Sequence, residues 1–301
     1  MIVEEEKIRI DKYLSDKLDI SRSKIQKLIK EGKVLVNGEE ISSNYLTHLN
    51  DSVEIIDDLN FEIEIVKENI PLDIVYEDEY LLIVNKKSGM VVHPAPGNYT
   101  STLVNALLYR FDMSGMDKVR PGIVHRLDKD TSGVMVVAKD EKTHELLSEM
   151  IKNKEVQRVY LALVDGIINH ETGTIDAPIG RDTVNRQKMM VTDVNSKDAI
   201  THFKVLKRYS KNTLIECVLD TGRTHQIRVH MSEIGYPVVG DMVYSNGKNE
   251  FGVEGQMLHA KSLDFKHPIT EKQMHLEAEL PNYFKEVIAK LQKWNIGDWN
   301  V

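Results

Sequence analysis

The chain has 301 residues, 41% of them hydrophobic and 29% charged, and 39 Lys and Arg against 47 Asp and Glu give a formal net charge of −8. That length holds a large core plus a small module, and the composition is that of an ordinary soluble protein. No apolar run is long enough to span a bilayer, the acidic start Glu4-Glu5-Glu6 is the reverse of a secretory signal, and the single cysteine, Cys217, removes disulfides and paired-cysteine zinc sites. A cytoplasmic protein without membrane contact is expected. The negative average hides two basic stretches: residues 7–33 carry nine Lys and Arg against four Asp and Glu, and residues 181–230 carry ten against five. Local charge of this kind can steer a polyanion whatever the total.

In chain order, the pattern predicts a short helix over 11–18 and a second over 22–30, with Ser21 as its N-cap and Gly32 as its stop. On the second helix Ile25, Leu28 and Ile29 share one arc, while Lys24, Lys27 and Lys30 lie on the other side. A strand over 34–39 enters a tight Asn37-Gly38 turn, and residues 51–56 return beside it. The basic face reads either as solvated lysines or as an RNA contact through Arg22, Lys24 and Lys27. Arg9, Asp11, Lys12 and Tyr13, followed by Ser21-Arg22-Ser23-Lys24 and Val34-Leu35-Val36-Asn37-Gly38, resemble the S4 RNA-binding domain. An S4-like domain is expected over 1–60, a linker over 61–71 and a second domain over 72–301.

Beyond the linker, strand patterns fall at 80–84, 134–138, 156–163, 199–206 and 213–219, and helical patterns at 102–110, 141–152, 224–234 and 282–294. Strand pairs outnumber strand–helix alternations. This predicts an α+β domain on a mixed, largely antiparallel sheet with flanking helices, not a doubly wound one. Neither a Gly-x-Gly-x-x-Gly nor a Walker motif occurs, so no nucleotide cofactor is expected. Cys217, in the alternating run 214–219, reads as a buried strand residue.

The run His125-Arg126-Leu127-Asp128-Lys129-Asp130-Thr131-Ser132-Gly133 stands between the apolar segments Gly122-Ile123-Val124 and Val134-Met135-Val136-Val137. The pattern is a charged loop between two buried strands, where charge is costly unless paired. Asp128, with Arg126 and Lys129 beside it, is a candidate nucleophile, base or stabiliser of positive charge; on composition alone a structural ion pair explains it equally well. Asp130, before Thr131-Ser132-Gly133, suits a turn-shaping role. His225 and His230 are five apart, on different faces of a helix, and no carboxylate completes a set, so no metal is expected. Residues 185–190 read as a polar hairpin tip or an RNA-gripping loop.

Four ordered segments then carry a resemblance over nearly the whole chain. The run at 125–133, Lys86-Lys87-Ser88-Gly89-Met90-Val91-Val92-His93-Pro94, Gln157-Arg158-Val159-Tyr160-Leu161-Ala162 and Gly222-Arg223-Thr224-His225-Gln226-Ile227-Arg228-Val229-His230 are similar to the RluA-type pseudouridine synthases. The resemblance implies that Asp128 is the catalytic aspartate, Tyr160 the active-site tyrosine and Arg228 the arginine that pairs with the aspartate. It also implies that Arg126 reaches into the RNA. The helix beginning at Thr224 would offer Arg223, Thr224, His225 and Gln226 to a phosphate or base. The reaction, which turns uridine into pseudouridine, adds no atoms and needs no cofactor. With its S4-like start the chain looks most like the D-type enzymes of the large ribosomal subunit, which modify the loop of helix 69 in 23S RNA. The expected partner is that RNA, and a monomer is expected. Alternatives are another ribosomal or transfer RNA site, a non-catalytic RNA-binding or ribosome-assembly protein, and a glycosidase, which would need a second carboxylate facing Asp128.

Overall fold

The computed structural model describes residues 1–301 except 19–21, 57–64, 96, 114, 118, 119, 186, 187, 246, 248 and 298–301. The chain divides into two units, Met1–Glu62 and Ile63–Val301. In the first, α1 (Ile10–Leu18) and α2 (Arg22–Lys30) precede β1 (Val34–Val36), β2 (Glu39–Glu40) and β3 (Val53–Ile55), an antiparallel sheet in the order β2-β1-β3. The arc Ile25, Leu28 and Ile29 packs with Ile10, Leu14, Val34 and Val36 into one core, as the spacing predicts. Gly32, at φ +69°, closes α2, and Asn37 and Gly38, both at positive φ, make the tight turn into β2. The proposed cap Ser21 lies outside the described residues.

The second unit runs β4 (Ile74–Glu77), β5 (Leu81–Lys86), α3 (Leu103–Arg110), β6 (Ser132–Ala138), α4 (Glu141–Lys152), β7 (Gln157–Asp165) and β8 (Thr172–Asp176). It continues with β9 (Ile179–Arg181), β10 (Met189–Val191), β11 (Ile200–Arg208), β12 (Asn212–Leu219), α5 (Gln226–Glu233), β13 (Leu258–Lys266), β14 (Gln273–Glu277) and α6 (Asn282–Gly297). Its main sheet has the order β4-β5-β6-β13-β7-β12-β11-β8, with β14 added to β13. The β6–β13 pair is parallel and its neighbours are antiparallel, so the sheet is mixed, as expected. The fold is α+β, a small helix-and-sheet unit followed in sequence by a mixed sheet with helices. Thr102 and Asp140 cap α3 and α4 through side-chain oxygens, fixing where both helices start. Ile65 is buried and Val66 O accepts from Asn105 Nδ2, so this part of the expected linker packs on the second unit. No described helix is long and apolar enough to cross a membrane.

Three local expectations are corrected. Gly122-Ile123-Val124 is not a strand; it makes a single bridge, Ile123 to Val137, because Gly122 at φ +71° turns the chain there. Ser132 and Gly133 do not shape a turn but begin β6, paired with His259 and Ala260. The helix expected from Thr224 starts at Gln226, since His225 adopts left-handed backbone angles, φ 58° and ψ 18°. Residues 185–190 fall partly in the β9–β10 ribbon: Met189 and Met190 pair with Arg181 and Gly180.

Candidate active site

Asp128 lies just ahead of β6, in a loop that is clamped from several sides. Lys86, at the end of β5, is buried and donates from Nζ to the carbonyls of Lys87, Met90 and Lys129 at 2.8–2.9 Å. Burial pushes its ammonium down to about 7, while Asp128 and Asp130 pull the other way. Ser88 Oγ donates to Asp130 O, Gly89 N to Lys129 O, and Gln256 Nε2 to Thr131 Oγ1. From the other end, Val136 N donates to His125 Nε2 at 3.0 Å, which requires a neutral ring; burial, with Arg158 nearby, pushes His125 down to about 3. The Lys86 and His125 segments therefore act as fasteners of the loop.

A cleft brings Asp128 together with Tyr160 from β7, Arg228 from α5, His225 at the head of α5, and Arg126 and Arg223. Arg228 Nη1 donates to Asp128 Oδ2 at 2.9 Å across 100 residues of sequence. The rest of its fork is taken: Nε and Nη2 donate to the two oxygens of Asp241 at 2.6 and 2.9 Å. Asp241 is fully buried, and Arg228 is only 5% exposed. Burial opposes the guanidinium charge, but the two carboxylates outweigh it and hold Arg228 above its usual value. The pairing compensates the buried charges of Asp241 and Arg228, while Asp128 is held through Oδ2.

Tyr160 is 7% exposed. Burial raises its hydroxyl above the ordinary phenol value, Arg158 opposes this and Asp128 adds to it. His225 Nε2 stands 3.9 Å from Asp128 Oδ1, and its Nδ1 is 2.9 Å from Tyr244 OH. Among the described residues lining the cleft Asp128 is the sole carboxylate, so the facing acid of a glycosidase has no counterpart there.

Of the expected RNA contacts, exposed Arg126 and half-buried Arg223 line the cleft, Arg223 Nε donates to Asp198 O, and Thr224 is half-buried but not part of the lining. Gln226 is a correction. It is 3% exposed, its Nε2 donates to Ile200 O and Thr201 Oγ1, and its Oε1 accepts from Thr221 Oγ1 and Arg223 N. It locks α5 to β11 and has no amide group left for RNA. In the first unit Lys27 is exposed, and the Lys24 side chain lies outside the described residues. Arg22 is half-exposed and donates from Nη2 to Asp11 Oδ1 at 3.0 Å.

Sequence reasoning missed Asp241 and Tyr244. A signal existed: Asp241 follows the apolar run Val238-Val239-Gly240, and a carboxylate carried into a core by such a run needs a cationic partner.

Two families match the chain, the S4 domain over residues 8–53 and RNA pseudouridylate synthase over residues 80–233. An RNA pseudouridine synthase of Bacillus subtilis, itself described as uncharacterised, is 49% identical over 293 residues, 96% of each chain. The ribosomal large subunit pseudouridine synthase D of Pseudomonas aeruginosa is 42% identical over 286 residues, 91% of this chain and 88% of that one. Among solved structures, human RNA Pseudouridylate Synthase Domain Containing 4 superposes with a TM-score of 0.59 at 27% identity, covering 73% of this chain and 93% of that chain.

Proposed function

The chain belongs to the RNA pseudouridylate synthase family and carries an S4 domain, and from that premise we propose that it isomerises uridines of large-subunit 23S ribosomal RNA, the helix 69 loop among them, without a cofactor. Asp128 is the group on which the chemistry depends. As the N1–C1′ bond breaks, its electrons leave with the base and positive charge develops at the ribose carbon, which a carboxylate can stabilise, trap or relieve. The base turns, C5 bonds to C1′, and the proton lost from C5 is balanced by one gained at N1. Arg228 aims the carboxylate and Tyr160 stacks on the base or helps remove the C5 proton.

The observation that carries this reading is the 2.9 Å contact between Arg228 Nη1 and Asp128 Oδ2 in a cleft shared with Tyr160. The ribosomal target draws its support from relatives named for the large subunit, such as that of Pseudomonas aeruginosa. Arg126 and Arg223 at the cleft, Thr224 next to Arg223 in the chain, and Arg22, Lys24 and Lys27 in the S4 domain supply the RNA contacts. The domain read over 1–60 anchors the RNA, and the one over 72–301 performs the reaction. A target base inside paired RNA must first be extruded, at about a few kcal/mol.

The test is pseudouridine mapping of ribosomal RNA from cells with the protein, without it, and with Asp128→Asn. Loss of a 23S site in the second and third strains is expected, with the Asp128→Asn protein still folded and binding RNA. An unchanged 23S map would refute the target, and full activity in Asp128→Asn would refute the assignment of the aspartate.

A further inference from the structure

His225 departs from what a helix cap normally does. Its backbone is left-handed, and its side chain makes no capping bond to α5, although the position before a helix ordinarily has extended angles and an oxygen-bearing side chain. Strained backbone of this kind persists where the surroundings impose it, often at a functional site. Here Nδ1 of the ring is held by Tyr244 OH at 2.9 Å, and the opposite nitrogen points at the catalytic carboxylate.

The donor directions follow from the hydrogen-bond chain. Tyr244 OH already accepts from Met189 N at 2.9 Å. If it accepted from His225 as well, its own proton would find no protein acceptor in the hydrogen bonds of the described residues, which is the less favourable choice for a partly buried hydroxyl. The arrangement that satisfies every group has Tyr244 donating to Nδ1, which leaves the proton of the neutral ring on Nε2. Burial and Arg228 hold His225 below its usual value against the pull of Asp128 and Asp241, in keeping with an uncharged ring.

The Nε2–H therefore faces Asp128 Oδ1 across 3.9 Å, too far for a hydrogen bond between them. Both groups line the cleft, so an oxygen entering from its open side can stand about 2.8 Å from each. Such an oxygen must accept from the imidazole and donate to the carboxylate. A uracil carbonyl only accepts, whereas a hydroxyl does both. Resting on the assignment of Asp128 above, we propose that His225 and Asp128 Oδ1 form a hydroxyl-binding subsite for the ribose 2′-OH of the target uridine, with Tyr244 fixing the imidazole tautomer. The pair would hold the ribose with C1′ near the carboxylate, and would make the enzyme depend on a ribonucleotide at the reacting position.

Two measurements test this. The first needs no RNA: imidazole nitrogen resonances of ¹⁵N-histidine-labelled full-length protein, with His225 assigned by its loss in His225→Ala. An Nε2–H tautomer at pH 7 that is disturbed in Tyr244→Phe is expected; an Nδ1–H or doubly protonated ring overturns the proposal. The second uses unmodified 23S RNA transcript to locate a modified uridine, then stem-loops carrying either uridine or 2′-deoxyuridine there in single-turnover assays. The unaltered protein should be slower on the deoxy substrate. His225→Ala, shown to be folded by its melting profile, should lose about 10²-fold on uridine at little changed RNA affinity and lose little further on deoxyuridine. His225→Gln, which keeps an N–H donor, should recover part of the rate. An undiminished deoxyuridine penalty in His225→Ala, or a loss confined to affinity, overturns the proposal. A transcript left unmodified would count against the ribosomal target alone, and the tautomer would then decide this inference.

Discussion

Arg228 serves two carboxylates at once, and the division of its fork decides how Asp128 is aimed. Asp241 occupies Nε and Nη2, so only Nη1 is turned to Asp128, at 2.9 Å. Asp241 is itself fixed by the backbone N–H groups of Val243 and Tyr244, which donate to its Oδ1. In Asp241→Asn one amide oxygen can keep those bonds, but an N–H₂ would face the Arg228 Nε–H, donor against donor. The guanidinium should then swing from its place. Turnover is expected to fall about 10²-fold, as small misplacements at a reacting centre do, with RNA affinity unchanged. Single-turnover rates beside RNA-binding curves would check this, and a normal rate in a folded Asp241→Asn protein would show that Arg228 needs no such support. The sequence alone makes Asp128 conspicuous, because a charged run between apolar segments is visible locally. It leaves the pairing with Arg228 to the family resemblance, since a contact across 100 residues has no periodicity to betray it. Asp241 carries only the local signal of its apolar run Val238-Val239-Gly240, and nothing in that run points to Arg228 as its partner.

At the scale of elements, the active loop depends on how β6 enters the sheet beside β13. This parallel pairing starts at Ser132–His259 and Gly133–Ala260, immediately after the Asp128 loop. Gly133 has φ +118°, and a Cβ there would lie 2.1 Å from Ala260 O, so the two backbones meet where no side chain fits. Gly133→Ala should destabilise the second unit by about 3 kcal/mol or more, through both overpacking and forbidden backbone angles. Thermal melting would measure it, and a shift no larger than that of an exposed Gly→Ala control would contradict the close approach. The elements legible in the sequence were those whose periodicity is their own, such as α2, α4 and β12. Short strands such as β9 and β10, three residues each, carry too few alternations to be seen. The head of α5 falls at Gln226 and not at Thr224 because His225 takes left-handed backbone angles, which no local periodicity announces.

For the whole molecule, the two units carry separate cores, and among the described residues the smaller one buries two carboxylates, Asp11 and Asp51, where the larger buries Asp241. Asp11 is fully buried. Burial would raise its carboxyl, but hydrogen bonds from Arg9, Arg22 and Gln26 outweigh that and hold it well below the ordinary range. Asp51 is likewise lowered, burial being outweighed by bonds from His48 N, Asn37 and Tyr45. A carboxylate whose value is depressed on folding adds stability that is complete above its unfolded value, near 4, and is lost as pH falls through the folded one. The first unit should therefore loosen below about pH 4, with both groups acting in the same direction. Hydrogen exchange by peptide on the full chain, corrected for intrinsic rates, should show α1 and β3 losing protection on acidification before β6 and β7. In Asp11→Asn the first unit should be less stable at pH 7, and its acid dependence should be flatter, because one of the two titrating groups is gone. If α1 keeps its protection down to the pH at which β6 loses it, the fixed pair Arg9 and Arg22 owes its hold to packing and not to the Asp11 charge.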